Sequence, residues 1–402
     1  MPKKTIEQIE VSGQRVLIRV DFNVPLDNAT VTDDRRIRAA LPTIRSVIDR
    51  GGRAVLMSHL GRPEGTGPEP ALSLKPAAER LGEILAKPVA FPSDDCLSGE
   101  AGDAIDAMRD GDVLVLENLR FHKGEKAGDQ GFADTLAARA DIYVNDAFGT
   151  CHRTDASMVG VPRAMHDKPR VAGLLVEKEI RYLAEALKDP ARPFTVILGG
   201  AKVSDKLPAI EHLLPKCDHI LIGGAMAYTF LAALGHDVGD SRTEDAMVKD
   251  AKRILRLAAE SSVDLHLPED HICSTAFAEK AGDIEVFEDT IKKGFMGLDI
   301  GPRTAHRFGE IIKGSRTIVW NGPMGVFEWA PFKVGTKLVA ESVADATTDS
   351  DATSIVGGGD SAAAAELFGV ADRLSHVSTG GGASLEMLEG KTFRAVELLE
   401  DA

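Results

Sequence analysis

The chain has 402 residues and a formal net charge of −15, with 44% hydrophobic, 27% charged and 5% aromatic residues. That length exceeds the roughly 250–300 residues one core supports, so two domains are expected, with cores resting on Val, Ile, Leu and Ala. The acidic balance argues against nucleic-acid and anionic-membrane partners, and no apolar run reaches membrane length, while the scattered Cys96, Cys151, Cys217 and Cys273 form no CxxC pair and fit reduced thiols in a cytoplasmic protein.

Short runs rich in Val, Ile and Leu recur along the chain and predict strands buried on both faces. The first, Arg15–Val20, leads into Asp21-Phe22-Asn23-Val24-Pro25, and Arg36 follows a few residues later. The second, Arg53–Ser58, leads into His59-Leu60-Gly61-Arg62-Pro63, and the third, Asp112–Glu117, into Asn118-Leu119-Arg120. The fourth, Asp141–Asn145, is followed by Asp146-Ala147-Phe148-Gly149 and then His152-Arg153. Amphipathic stretches such as Leu74–Leu85 and Glu244–Ala259 predict helices between strands, and the alternation predicts parallel sheets covered by helices.

Val171–Lys188 reads as one long helix stopped by Asp189-Pro190. It serves equally well as a helix of one domain or as a connector. Beyond it, strands are predicted at Phe194–Leu198, His219–Ile222, Val263–Leu267, Arg316–Trp320 and Thr353–Val356. Four of their ends are glycine-rich: Gly199-Gly200-Ala201-Lys202, Gly223-Gly224, Asn321-Gly322-Pro323-Met324-Gly325 and Gly357-Gly358-Gly359-Asp360-Ser361. Near the C-terminus, Thr379 and Gly380-Gly381-Gly382 open a short helix that Gly390 can stop.

In open parallel sheets, ligands bind beyond the carboxyl ends of the strands. One arginine there is most simply a solvated side chain, and one glycine pair a tight turn. Arg62, Arg120 and Arg153 with His59 at successive strand ends instead predict an anion pocket on an acidic protein. Four glycine turns in the second half predict a nucleotide crevice, since glycine lets backbone amides approach phosphate. There is no Walker A sequence, no protein-kinase signature, no GxSxG elbow and no HExxH helix.

These motifs, taken in order from Val20–Pro25 and Ser58–Pro63 through Gly199–Lys206, Trp320–Gly325 and Gly357–Ser361 to Thr379–Ser384, resemble those of the phosphoglycerate kinase family over nearly the whole chain. The resemblance implies two Rossmann-like domains, each a three-layer α/β/α parallel sheet, joined by a helical hinge. Residues 1–170 would bind 3-phosphoglycerate or 1,3-bisphosphoglycerate, 171–188 would connect, 189–386 would bind the nucleotide, and the tail 387–402 would pack back on the first domain. By position, Asp21 and Asn23 would hold the glycerate, His59, Arg62, Arg120 and Arg153 the distal phosphate, and Phe22, Leu60 and Gly61 would also belong to the substrate site. Arg36 would face the reacting group. Lys202 would contact the transferred phosphoryl, and Lys206 the nucleotide phosphates. Gly223, Gly224, Gly297, Asn321, Pro323 and Glu328 would line the adenosine pocket, and Gly357, Gly358, Gly359 and Ser361 would lie near the phosphates. Asp360 would ligate Mg2+, and Gly380, Gly381 and Gly382 would offer amides to the group in flight. The resemblance also implies ADP and ATP as co-substrates, a monomer, and closure of the domains about the hinge.

Two departures from the family pattern stand out. Cys151 replaces an expected alanine, which adds a candidate oxidation site beside Arg153, and the tail Lys391–Val396 lacks an expected Leu-Pro-Gly. Two rival readings are a nucleotide-binding protein with a decayed site and a kinase for another acyl phosphate. Retention of Arg36, Lys202 and Asp360 counts against the first, and the pairing of Asp21 and Asn23 with the arginines counts against the second.

Overall fold

The computed structural model describes residues 2–185, 187–280 and 282–402, with only the backbone of Glu185 described. It divides into two compact units: residues 1–181 with 392–402, and residues 182–391. Each unit is built on a parallel sheet.

In the first unit the strands are β1 (Arg15–Val20), β2 (Arg53–Met57), β3 (Val113–Val115), β4 (Ile142–Asp146) and β5 (Arg170–Ala172). Their order is β3-β2-β1-β4-β5, all parallel. Val16, Leu17, Ile18 and Val20 are all fully buried, as a strand covered on both faces requires. The helix Arg35–Ile48 turns Ile37, Ala40, Ile44 and Val47 onto the same core, a three-and-four spacing that keeps them on one face. Strand order reverses between β1 and β4, so a crevice opens beyond their carboxyl ends.

The edge strand β5 is not left bare. The amide of Ala172 donates to Lys4 O at 2.9 Å, and Glu400 N donates to Arg170 O at 2.8 Å. Lys4 N in turn donates to Glu400 O at 2.9 Å. The two chain ends thus satisfy backbone groups that an edge would otherwise expose. In the tail, Phe393, Ala395 and Leu399 are buried, and the Phe393 ring meets Phe148 edge-on with centroids 6.3 Å apart. The unusual tail sequence therefore packs well.

In the second unit the main sheet contains β6 (Phe194–Leu198), β7 (His219–Ile222), β8 (Asp264–His266), β12 (Thr317–Asn321), β13 (Thr353–Val356) and β14 (His376–Val377). The order is β8-β7-β6-β12-β13-β14, again parallel throughout. It reverses between β6 and β12, placing the second crevice there. A separate antiparallel sheet, in the order β10-β9-β11, is made by β9 (Asp270–Ser274), β10 (Ile284–Glu288) and β11 (Met296–Ile300). It has its own small core with Tyr228, Leu231 and Phe287.

The reading of Val171–Lys188 as one helix needs correction. Arg170–Ala172 is a strand, Leu174–Ile180 a helix, and Arg181–Glu185 a π-helical turn; Ala186 lies outside the described residues. Gly173 stands between them as the extended residue before the helix, and only glycine fits there because a Cβ would meet the Asp146 carboxylate at 2.1 Å. Among the described residues, no helix is long and apolar enough to cross a membrane.

Candidate active site

In the first unit the site begins at the end of β1. Asp21 and the main-chain carbonyl of Asn23 receive hydrogen bonds from Arg36 Nη1, at 3.0 and 3.1 Å. Arg36 lies in the first turn of Arg35–Ile48, so the helix start aims its guanidinium at the strand end. The Asn23 side chain accepts from Gly61 N at 2.8 Å, which joins the β1 and β2 loops. Asn118 adds the β3 loop by bonding both the amide and the carbonyl of Leu60. Phe22 is buried, its amide held by Ser58 Oγ at 2.9 Å.

His59 is the centre of the charged groups. It is buried, and its imidazole is held well below its ordinary range, first by burial and then by the positive charges of Arg19, Arg120, Arg153 and Arg36. Arg19 Nη2 lies 3.1 Å from His59 Nδ1. A guanidinium can only donate, so Nδ1 accepts, the proton sits on Nε2, and the neutral ring offers one N–H donor. Arg120 is buried and is tied to Gly61 O at 2.9 Å and to Asp155 at 3.5 Å. Among the described residues, neither Arg62, which is exposed, nor Arg153 has an ion pair. The structure thus gathers Arg36, Arg120 and Arg153 around His59, but does not tie Arg62 to that group.

Arg19 is the residue of this pocket that sequence reasoning missed. It is fully buried inside β1. Its Nε bonds Ser157 Oγ at 2.9 Å, and Ser157 donates from Oγ and N to the buried Glu125 at 2.5 and 2.9 Å. A charged residue within an otherwise apolar strand was the available signal. Cys151 is not the oxidation site expected of it: the thiol is buried and burial pushes it up to about 12, leaving almost no thiolate to react.

In the second unit the glycine-rich strand ends interlock. Gly199 N donates to Asn321 O and Gly200 N to Pro323 O, each at 3.0 Å. Gly224 N donates to Met324 O at 3.0 Å. A Cβ on Gly199 would stand 2.0 Å from Pro323 O, and one on Gly223 2.4 Å from the Met324 sulfur. The loops after β6, β7 and β12 can therefore touch only through glycine.

Beside them lies a cavity of about 440 Å³, lined by Gly200, Gly224, Gly297, Pro323, Glu328 and Asp360 among others. Asp240, Arg242 and Phe277 also line it, and no motif announced them. Phe277 is an exposed ring stacked obliquely on Trp329, with centroids 4.8 Å apart.

Behind the cavity runs a polar chain. Lys206 Nζ bonds Asn321 Oδ1, and Asn321 Nδ2 donates to Gly357 O at 2.9 Å. Burial lowers the Lys206 ammonium below its ordinary value. Ser361 is buried and accepts from Gly322 N at 2.6 Å. Gly358, with φ of 90°, caps the helix Gly359–Leu367, whose first turn presents Asp360. Lys202 and Gly359 are exposed.

Gly380 N bonds Ser378 Oγ at 3.1 Å, Gly381 adopts φ of 53°, and Gly382 starts the helix Gly382–Leu388. None of these three glycines lines the cavity.

Asp360 is exposed on the cavity wall beside glycine turns. One free carboxylate where phosphates can complete the shell is the donor set magnesium accepts, because that ion keeps several waters and few protein ligands. The residues present fit Mg2+.

Residues 6–391 match the family model described as phosphoglycerate kinase. The chain is 57% identical, over the full length of both proteins, to the phosphoglycerate kinase of Rhodopirellula baltica. Among solved structures it resembles phosphoglycerate kinase from Coxiella burnetii, with 39% identity, 99% of this chain and 98% of that one covered, and a TM-score of 0.89. It also resembles the enzyme from Pyrococcus horikoshii OT3, with 32% identity, 98% of each chain covered, and a TM-score of 0.82. The full-length match, the paired parallel sheets and the segregation of arginines from glycine turns agree: this chain belongs to the phosphoglycerate kinase family.

Proposed function

We propose that the family's reaction, reversible phosphoryl transfer from 1,3-bisphosphoglycerate to ADP giving 3-phosphoglycerate and ATP, is divided here between the two units. Residues 1–181 hold the phosphoglycerate and residues 182–391 the nucleotide. The observation that carries this reading is the neutral, buried His59 with Arg19, Arg36, Arg120 and Arg153 disposed about it. Such a concentration of positive charge in an acidic protein calls for a strongly anionic ligand.

Arg120, Arg153 and the His59 Nε2 proton bind the distal phosphate, with Arg62 adding charge from the neighbouring loop. Asp21 and Asn23 receive the glycerate hydroxyl and orient Arg36 toward the reacting carboxyl. On the nucleotide side, the glycine turns and Gly297 admit the flat base, Glu328 meets the ribose, and Lys206, Ser361 and the Gly357–Gly359 turn lie toward the phosphates. Asp360 would hold Mg2+, which when bound would supply positive charge against the nucleotide phosphates. Lys202 and the amides of Gly380–Gly382 serve the group in transfer.

Both oxygens that exchange the phosphoryl, one of a carboxylate and one of a diphosphate, are already ionised near neutral pH. No general base is needed. The work is alignment and charge neutralisation.

Arg36→Ala tests the division of labour. Losing one such group costs about 2.7–4 kcal/mol of barrier, a fall in kcat of roughly 10²–10³. Calorimetry should find ADP affinity unchanged. Loss of ADP binding would show that the substrate assignment to the two units is wrong.

A further inference from the structure

The outer edge of the second unit's main sheet carries donors that phosphoryl transfer leaves unused. β8 runs parallel to β7, with Asp264 opposite His219. Side chains alternate along a strand, so Asp264 and His266 project from the same face of β8. In this register His219 stands beside them. His219 Nδ1 is 3.6 Å from Asp264 Oδ2 and 3.4 Å from His266 Nε2, and the three donor atoms all lie within 4.8 Å of one another.

These separations are long for hydrogen bonds, which such atoms make at about 2.7–3.2 Å. The imidazole rings do not stack either, being tilted by 42° with centroids 5.6 Å apart. The two separations from His219 do match the edge of a metal tetrahedron. Ligands about 2.0–2.2 Å from a zinc ion stand about 3.3–3.6 Å from each other.

The donor types narrow the cation. Two imidazoles and one carboxylate suit zinc and its d-block neighbours, whereas magnesium and calcium take all-oxygen shells. His219 and His266 are half-buried and Asp264 is exposed, which leaves room for water as a fourth ligand. The strands fix the donors: Asp264 N donates to Asp218 O at 2.9 Å, and the β7–β8 pairing sets the rest. The nearby Arg307 is engaged elsewhere, with Leu267 O at 2.6 Å and Glu269 at 3.5 Å. None of the three donors lines the nucleotide cavity.

We propose that His219, Asp264 and His266 form a site for one zinc-like divalent cation that clips β8 to β7, separate from the magnesium-nucleotide site.

The test titrates Co2+ into the full-length, metal-free chain without nucleotide. One equivalent should bind with the visible bands of four-coordinate cobalt, and Zn2+ should displace it. His219→Ala and His266→Ala should each weaken binding by at least about tenfold, while ADP affinity, measured by calorimetry, stays unchanged and confirms folding. Should either histidine variant fail to fold, the exposed Asp264→Asn supplies the same reading. Unchanged cobalt affinity in His266→Ala, or in Asp264→Asn if that variant has to be used, overturns the proposal. So does a thiolate-to-cobalt charge-transfer band, which would place the ion on the other donor cluster, Asp95, Cys96 and His122, in the first unit.

Discussion

Gly297 is a position where one methyl group decides whether a ligand has room. A Cβ there would stand 1.8 Å from the Tyr228 hydroxyl, and Tyr228 is buried in the small core behind the antiparallel sheet. In Gly297→Ala either the ring or β11 must move, and β11 lines the nucleotide cavity through Met296, Gly297 and Leu298. ADP affinity should fall at least about tenfold, the order expected when a packed wall shifts by a fraction of an ångström. Calorimetry checks it; wild-type affinity would mean that the base does not lie against β11. At this scale the sequence was legible where chemistry forces a residue type. Gly199 and Gly224 are required by backbone contacts shorter than any side chain permits, and Gly223 by the Met324 sulfur packed against it, and glycine announces itself. Arg19 was harder to place, because its charge inside an apolar run was the one mark it left and its partners His59 and Ser157 are 40 and 138 residues away. Phe277 and Arg242 reach the cavity from loops without a pattern.

The main sheets could be read from hydrophobic runs because strands buried on both faces leave continuous apolar segments. The antiparallel sheet could not. β10 is exposed at four of its five positions, so its sequence Ile284–Glu288 carries no unbroken apolar stretch. The short edge strands β5 and β14 were equally silent, with three and two residues. The division at Gly173 escaped notice because Val171 and Ala172 continue the apolar spacing of the following helix, and only contact with Asp146 separates them. The tail offers the prediction at this scale. Phe393 is buried against Phe148, so Phe393→Ala should destabilise the first unit by about 3–5 kcal/mol. Denaturation followed by a probe in residues 1–181 checks this; a loss below about 1 kcal/mol would mean that the tail merely lies on the surface.

Across the whole molecule, each unit buries a carboxyl that prefers its proton. Burial pushes Asp146 up to about 7 and Asp299 up to about 8. The unfolded chain loses these protons near pH 4, so between there and the raised values the folded state binds more protons. Stability therefore falls as pH rises through that window, by about 1.4 kcal/mol per pH unit for each group, and levels off above it. His59 acts in the opposite sense, because its lowered imidazole gains stability as pH rises toward its unfolded value. The useful reading is thus a difference. Asp299→Asn should gain stability relative to the parent chain between pH 5 and pH 7 (roughly the middle of the window), measured by denaturation of the second unit. A difference that does not change with pH would mean that the amides of Gly335 and Ile300, which Asp299 accepts at 2.7 and 2.9 Å, keep it ionised.

The return of residues 392–402 to the first unit also sets an order of events during synthesis. A ribosome delivers β1 to β5 early, yet the Glu400 groups that bond Arg170 emerge only after the entire nucleotide-binding unit has been made. The outer strand of the amino-terminal half therefore stays partly unpaired until the last residues are made. Released chains that end before Thr392 should accordingly be cut by protease in the first unit sooner than in the second.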